Sequence, residues 1–131
     1  LGIAQDTVNV KQFAEAFIAA EIAAWERGDF VALEALEHPD VRFQNINGTV
    51  YRGWKEHKQA IIDARASFGG ARITQEWRYL MGEGSIFAVS YKWTIHLPQP
   101  VAITGLATGR VKDGKLVEEW GAATTSPAAA R

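Results

Sequence analysis

Apolar side chains recur at Val10, Phe13, Ala14, Phe17, Ile18, Ile22, Ala24 and Trp25, the i, i+3, i+4, i+7 spacing of a helix with one buried face. The pattern predicts a helix over residues 8–27, capped by Asp6 or Thr7 and ended by Gly28. Asp29 caps a second, short helix from Phe30 to Leu36, with Phe30, Leu33 and Leu36 inward. His38-Pro39-Asp40 stops it, because proline cannot continue a helix. Val41 to Ile46 alternates as a strand, placing Val41, Phe43 and Asn45 on one face. Asn47-Gly48 is a tight-turn signal, and Thr49 to Arg52 returns as the partner strand. Gly53 opens a third helix, to about Phe68, whose inward stripe reads Trp54, His57, Ile61, Ala64 and Phe68.

Everything after Gly70 reads as strand and turn. Ala71–Met81, Ile86–Leu97, Val101–Val111 and Leu116–Thr125 are joined by short turns, the pattern of an antiparallel meander. Helices first and a sheet afterwards predict an α+β fold. Three N-terminal helices pack on one face of a curved, mainly antiparallel sheet of about six strands. The whole chain, 1–131, reads as one domain, with a loose tail from Ser126 to Arg131.

Composition narrows the class. With 47% hydrophobic and 22% charged residues the chain is ordinary for a globular protein, and its net charge of -1 gives no attraction to nucleic acid or an anionic membrane. No apolar run approaches the ~18 residues of a membrane span. Zero cysteines exclude disulfides and thiol chemistry; with no secretory signal visible, they fit a reducing cytoplasm. His38, His57 and His96 fall on different elements without ligand spacing, which argues against a metal.

The candidate chemistry starts at Glu21. It sits one helical turn after Phe17 and one before Trp25, inside the apolar stripe. A carboxylate there must be paired, be protonated or face a cavity, since burying an unpaired charge costs several kcal/mol. It is either a structural anchor or a proton carrier. His57 falls on the apolar side of the third helix, as core residue or partner to Glu21. Strand parity puts Phe87, Val89, Tyr91, Trp93 and Ile95 under the helices, facing Val101, Ile103, Gly105, Ala107 and Gly109. Glu118 and Trp120 share a face of the last strand, and Trp77 adds a wall. Small residues opposite aromatic ones describe a small-molecule pocket, with a jigsaw core the lesser alternative.

Trp25-Glu26-Arg27-Gly28-Asp29-Phe30 resembles the helix junction of the NTF2-like superfamily. Tyr51-Arg52-Gly53, and Arg110 through Trp120, look like its SnoaL-like polyketide cyclase branch. The resemblance implies a cone-shaped α+β fold, a conical pocket and a homodimer. By position, Glu21 falls where ketosteroid isomerases of the superfamily carry a tyrosine, Asn45 near their general base and Ala107 near their second acid. Phe43-Gln44-Asn45 resembles the Tyr-Gln-Asn of the limonene-type epoxide hydrolases. The expectation is therefore cofactor-free acid/base chemistry, cyclisation, isomerisation or dehydration, on an apolar or aromatic carbonyl-bearing ligand. Glu21, His57 and Asn45 are its catalytic candidates, with Tyr91 a second donor to the oxyanion. Phe17, Trp25, Phe43, Trp77, Tyr91, Trp93, Ala107, Glu118 and Trp120 are the substrate-binding candidates. A non-catalytic binding or dimerisation module is the alternative, and an epoxide hydrolase the third.

Overall fold

A computed structural model describes residues 2–128, with side chains from Val10 onward. The chain runs α1 (Gly2–Arg27), α2 (Val31–Leu36), β1 (Glu37–Gln44), β2 (Val50–Arg52), α3 (Trp54–Ser67), β3 (Ile73–Glu83), β4 (Ile86–Ile95), β5 (Val101–Lys112) and β6 (Lys115–Pro127). The strands form one mixed sheet in the order β2-β1-β6-β5-β4-β3. Every neighbouring pair is antiparallel except β1 with β6, which brings the last strand beside the first. The α+β expectation of three helices and six strands holds.

The anticipated caps Asp6 and Thr7 fall within α1, where side chains lie outside the described residues. At its other end the helix stops as the sequence implies. Gly28, at φ +69°, donates its amide to Ala24, and Asp29 donates to Ala23. Arg65 of α3 fixes this end by donating from Nε to the Trp25 carbonyl at 3.0 Å. Asp29 then accepts the Val31 amide at 3.1 Å just ahead of α2, but the N-cap is Phe30 rather than the expected Asp29, with no side-chain cap bond.

Several boundaries move, those of β1 and β6 among them. Strand β1 begins at Glu37 rather than Val41, and runs through Pro39 where its register with β6 is irregular between Glu37 and Arg42. Strand β6 extends beyond Thr125, because Ser126 and Pro127 pair with Ala102 and Val101; the expected loose tail is reduced accordingly, and 129–131 lie outside the described residues.

Helix α1 packs on β3 and β4, and α3 on β1 and β2. Between them Val10, Ala14, Phe17, Leu33, Val41, Ile61, Phe87 and Leu116 form the dry core. Phe17 belongs to it. Its ring is fully buried, 5.4 Å from the ring of Phe87 and edge-on to Trp77. That corrects its assignment to substrate binding: the ring is consumed by packing.

Candidate functional site

The inward face of the sheet opens into a cavity of about 280 Å³ beside this core. Trp25 of α1, Phe43 of β1, Trp77 of β3, and Tyr91 and Trp93 of β4 wall it; Ala107 and Gly121 leave its volume open. The aromatic wall is continuous. Ring centres of Trp25 and Trp93 lie 4.7 Å apart, Tyr91 and Trp93 5.6 Å, and Trp77 and Tyr91 5.2 Å. Not every small residue contributes space. A Cβ on Gly109 would sit 2.5 Å from Phe87 Cζ, so that position is filled by the ring opposite.

Polar groups converge at one side of this cavity. Glu21 projects from α1, where Gln75 holds its backbone carbonyl at 3.4 Å. Glu119 enters from β6, and Oε1 of its buried carboxyl has no hydrogen-bond partner among the described residues. His57 stands behind them on α3, stacked at 4.1 Å on Phe43 and met edge-on by Trp54. One carboxyl oxygen of Glu21, one of Glu119 and a ring nitrogen of His57 all lie within 4.8 Å of one another. On its far side His57 Nδ1 straddles the Glu37 carboxylate, 3.0 Å from Oε1 and 2.9 Å from Oε2. A carboxylate only accepts, so Nδ1 carries the proton and Nε2 is left for the other side of the ring.

Burial sets the protonation states. Burial, opposed by the His57 charge and the Trp25 indole and aided by the Glu37 charge, raises Glu21 from 4.5 to about 7. Glu119 is pushed well above the ordinary carboxylate range by burial and by the Glu21 and Glu37 charges, which favours its protonated form. Burial acts to lower His57, but its hydrogen bond and charge attraction to Glu37, with Glu21 adding, leave it raised. Burial and the Glu119 and Glu21 charges push the Tyr91 phenol up to about 12, which keeps it a neutral donor. Both carboxyl groups are thus raised by burial, an environment suited to proton transfer.

Among the sequence-derived candidates, Glu21, Asn45, Trp25, Phe43, Trp77, Tyr91, Trp93 and Ala107 line this one cavity, and His57 reaches it through Glu21. Neither Arg42 nor Arg65 neutralises Glu21: Arg42 turns to Gln44 and Arg65 to the Trp25 carbonyl. Asn45 sits at the rim, where its Oδ1 accepts the Ile46 amide at 2.8 Å. Glu118 and Trp120 are corrections. Glu118 pairs with Arg110, Nε to Oε1 at 2.9 Å, and Trp120 lies beside Thr108 and Gln44 on the outward face. The cause is a bulge: Leu116 pairs with Val111 and Glu118 with Arg110, so Val117 is an extra residue. It resets the alternation, and Leu116 and Glu119 both point inward though three apart.

Two site residues escaped the sequence reading, Glu119 for that reason and Glu37 because it adjoins a helix stop. Glu37 did carry a signal, standing four residues after the buried Leu33. Glu21, His57 and Glu119 are also of metal-ligating type. An ion held at ~2 Å by each would require them to close to about 3.5 Å.

The SnoaL-like domain family matches residues 14–119. The chain belongs to that family. No curated protein matches the sequence. Solved structures with the same fold include an LEH-like epoxide hydrolase of M. tuberculosis, 17% identical, covering 90% of this chain and 84% of that one at a TM-score of 0.70. IdmH of Streptomyces antibioticus, a candidate polyketide cyclase, is 21% identical over 86% of this chain and 91% of its own, also at 0.70. A Catenulispora acidiphila protein of ketosteroid isomerase-like fold, solved with trimethylamine, is 15% identical over 80% and 82%, at 0.68. At these identities the likeness establishes a shared fold; the chemistry of this SnoaL-like domain has to be argued from its own cavity.

Proposed function

We propose that this domain is a cofactor-free acid/base enzyme acting on an apolar, carbonyl-bearing small molecule held in a conical space between helices and sheet. The observation that carries the reading is the meeting of Glu21, Glu119 and His57 at the edge of an aromatic-walled cavity. Glu21, exchanging its proton near neutral pH, removes a proton from the carbon next to the carbonyl. Protonated Glu119 and the Tyr91 hydroxyl donate to the oxygen on which charge develops. His57, held by Glu37, places positive charge behind Glu21 and favours its ionised form, an effect the Glu37 charge partly offsets. Return of the proton to another carbon is isomerisation, attack of the enolate on a second carbonyl is cyclisation, and expulsion of a β-hydroxyl is dehydration.

The test needs no knowledge of the natural substrate. Planar aromatic ketones such as β-tetralone are incubated with the protein in D2O, and deuterium uptake beside the carbonyl is followed by NMR. The parent is expected to accelerate uptake over buffer, and Glu21→Gln to lose about 100-fold of that acceleration. A parent no faster than buffer, or a variant as fast as the parent, sinks the proposal. The rival reading, a binding module without turnover, is favoured by Asn45: its amide oxygen is held in the turn rather than offered to a ligand. The same observation weighs against an epoxide hydrolase that positions water through Asn45. Met81, Ile86 and Leu106 stand exposed on the sheet and support a homodimer; Leu106→Lys should then yield monomer in light scattering. A cytoplasmic setting belongs to the same proposal and is supported by the cysteine-free composition.

A further inference from the structure

The charges around the cavity do not balance. Three carboxyl groups, Glu21, Glu37 and Glu119, meet a single imidazole, and Glu37 already occupies it. The described residues that line the cavity include two of those carboxyl groups, Glu21 and Glu119, and no Lys or Arg. Arg42, Arg65 and Arg110 are turned to Gln44, the Trp25 carbonyl and Glu118. Glu119 is nine-tenths buried or more, and its Oε1 has no partner among the described residues. An anionic ligand would meet repulsion from ionised Glu21 and no cation to offset it.

Beside these groups stand Trp25, Trp77, Trp93, Tyr91 and Phe43. Such rings attract alkylated ammonium groups through the negative potential over their faces, an attraction that strengthens once water is excluded. We propose that the ligand of this cavity carries an alkylated ammonium group, seated against the tryptophan wall with Glu21 as its counter-ion and the unpartnered Glu119 carboxyl beside it. This rests on the cavity being the ligand site, and it narrows the substrate class to carbonyl compounds bearing a basic nitrogen.

Binding the cation must expel a proton, since a positive charge at the cavity favours ionised Glu21. The groups that face Glu21 and set this response are Trp25 on its own helix, Glu37 from β1, His57 from α3, Tyr91 from β4 and Glu119 from β6.

The experiment compares benzyltrimethylammonium with neopentylbenzene, its carbon isostere, by tryptophan fluorescence and calorimetry on the full chain. At pH 8 the cation should bind about tenfold more tightly or better. That advantage should shrink as pH falls below about 7, and the heat of binding should vary with the buffer's own protonation heat. Glu21→Gln, checked for a parent-like circular dichroism spectrum, should reduce the advantage. An isostere that binds as well as the cation overturns the ammonium assignment and leaves the acid/base reading standing. Failure of both probes to bind overturns both. Zn2+ that binds and cannot be displaced by the ammonium reassigns Glu21, His57 and Glu119 to a metal, and equally overturns the proposal.

Discussion

Replacing Glu21 by Gln should change stability in a way that depends on pH. In the folded chain burial, as the largest influence, raises the Glu21 carboxyl from 4.5 to about 7. A raised group contributes its full stability below the unfolded value and loses it as pH climbs through the folded one. The window is therefore pH 4.5 to about 7. At about 1.4 kcal/mol per pH unit, a rise from 4.5 to about 7 costs roughly 3 kcal/mol once Glu21 is ionised in both states. Gln has nearly the shape of the protonated acid and never ionises. At pH 4.5 the two proteins should therefore have similar stability, and at pH 8 the variant should be the more stable by about 3 kcal/mol. Urea denaturation at several pH values measures this directly, because equal slopes confirm that the unfolded states are comparable. A variant less stable than the parent at pH 8, or a difference that does not change with pH, would refute the argument. Glu21 would then be an anchor whose ionised form is satisfied by a partner.

The other predictions concern its neighbours. Glu37→Gln keeps an acceptor for His57 Nδ1 but removes the charge. The ring should then titrate at lower pH by NMR, and stability below the ordinary histidine range should fall by about 1–3 kcal/mol. The raised His57 contributes stability that is lost as pH rises through its folded value, so this variant should also flatten that loss. Glu118→Gln should change deuterium uptake into ketones less than twofold, because its partner is Arg110 on the outward face; Glu119→Gln should slow uptake markedly. Gly109→Ala would place a methyl 2.5 Å from Phe87 Cζ and 2.9 Å from Leu116 Cδ1, and should destabilise by about 1–3 kcal/mol in the same denaturation assay.

Much of this architecture was legible because it is local. The helical stripe from Val10 to Trp25 buries Val10, Ala14, Phe17 and Ala24 and half-buries Phe13, Ile18, Ile22 and Trp25. The alternation from Phe87 to Ile95 buries each selected residue but the half-buried Trp93. Glu21 stood out because a charge interrupts that stripe, and the cavity is where the interruption leads. What could not be read depends on relations between strands. Glu119 was hidden by a bulge defined by its partner β5, and Phe17 by the ring of Phe87 from the far side of the core. Glu37 owes its role to His57, twenty residues away on another element.

The bulge at Val117 decides more than which glutamate is chosen. A regular ladder from the inward Leu116 would have turned Glu118 and Trp120 under the helices in place of Glu119 and Gly121. The indole of Trp120 would then stand where Gly121 now leaves a gap, and the chamber would be plugged by the strand that forms its floor. Whether this fold is hollow or solid thus rests on counting rather than on size. One surplus residue, off the ladder between two paired ones, keeps the bulkiest side chain of β6 outdoors.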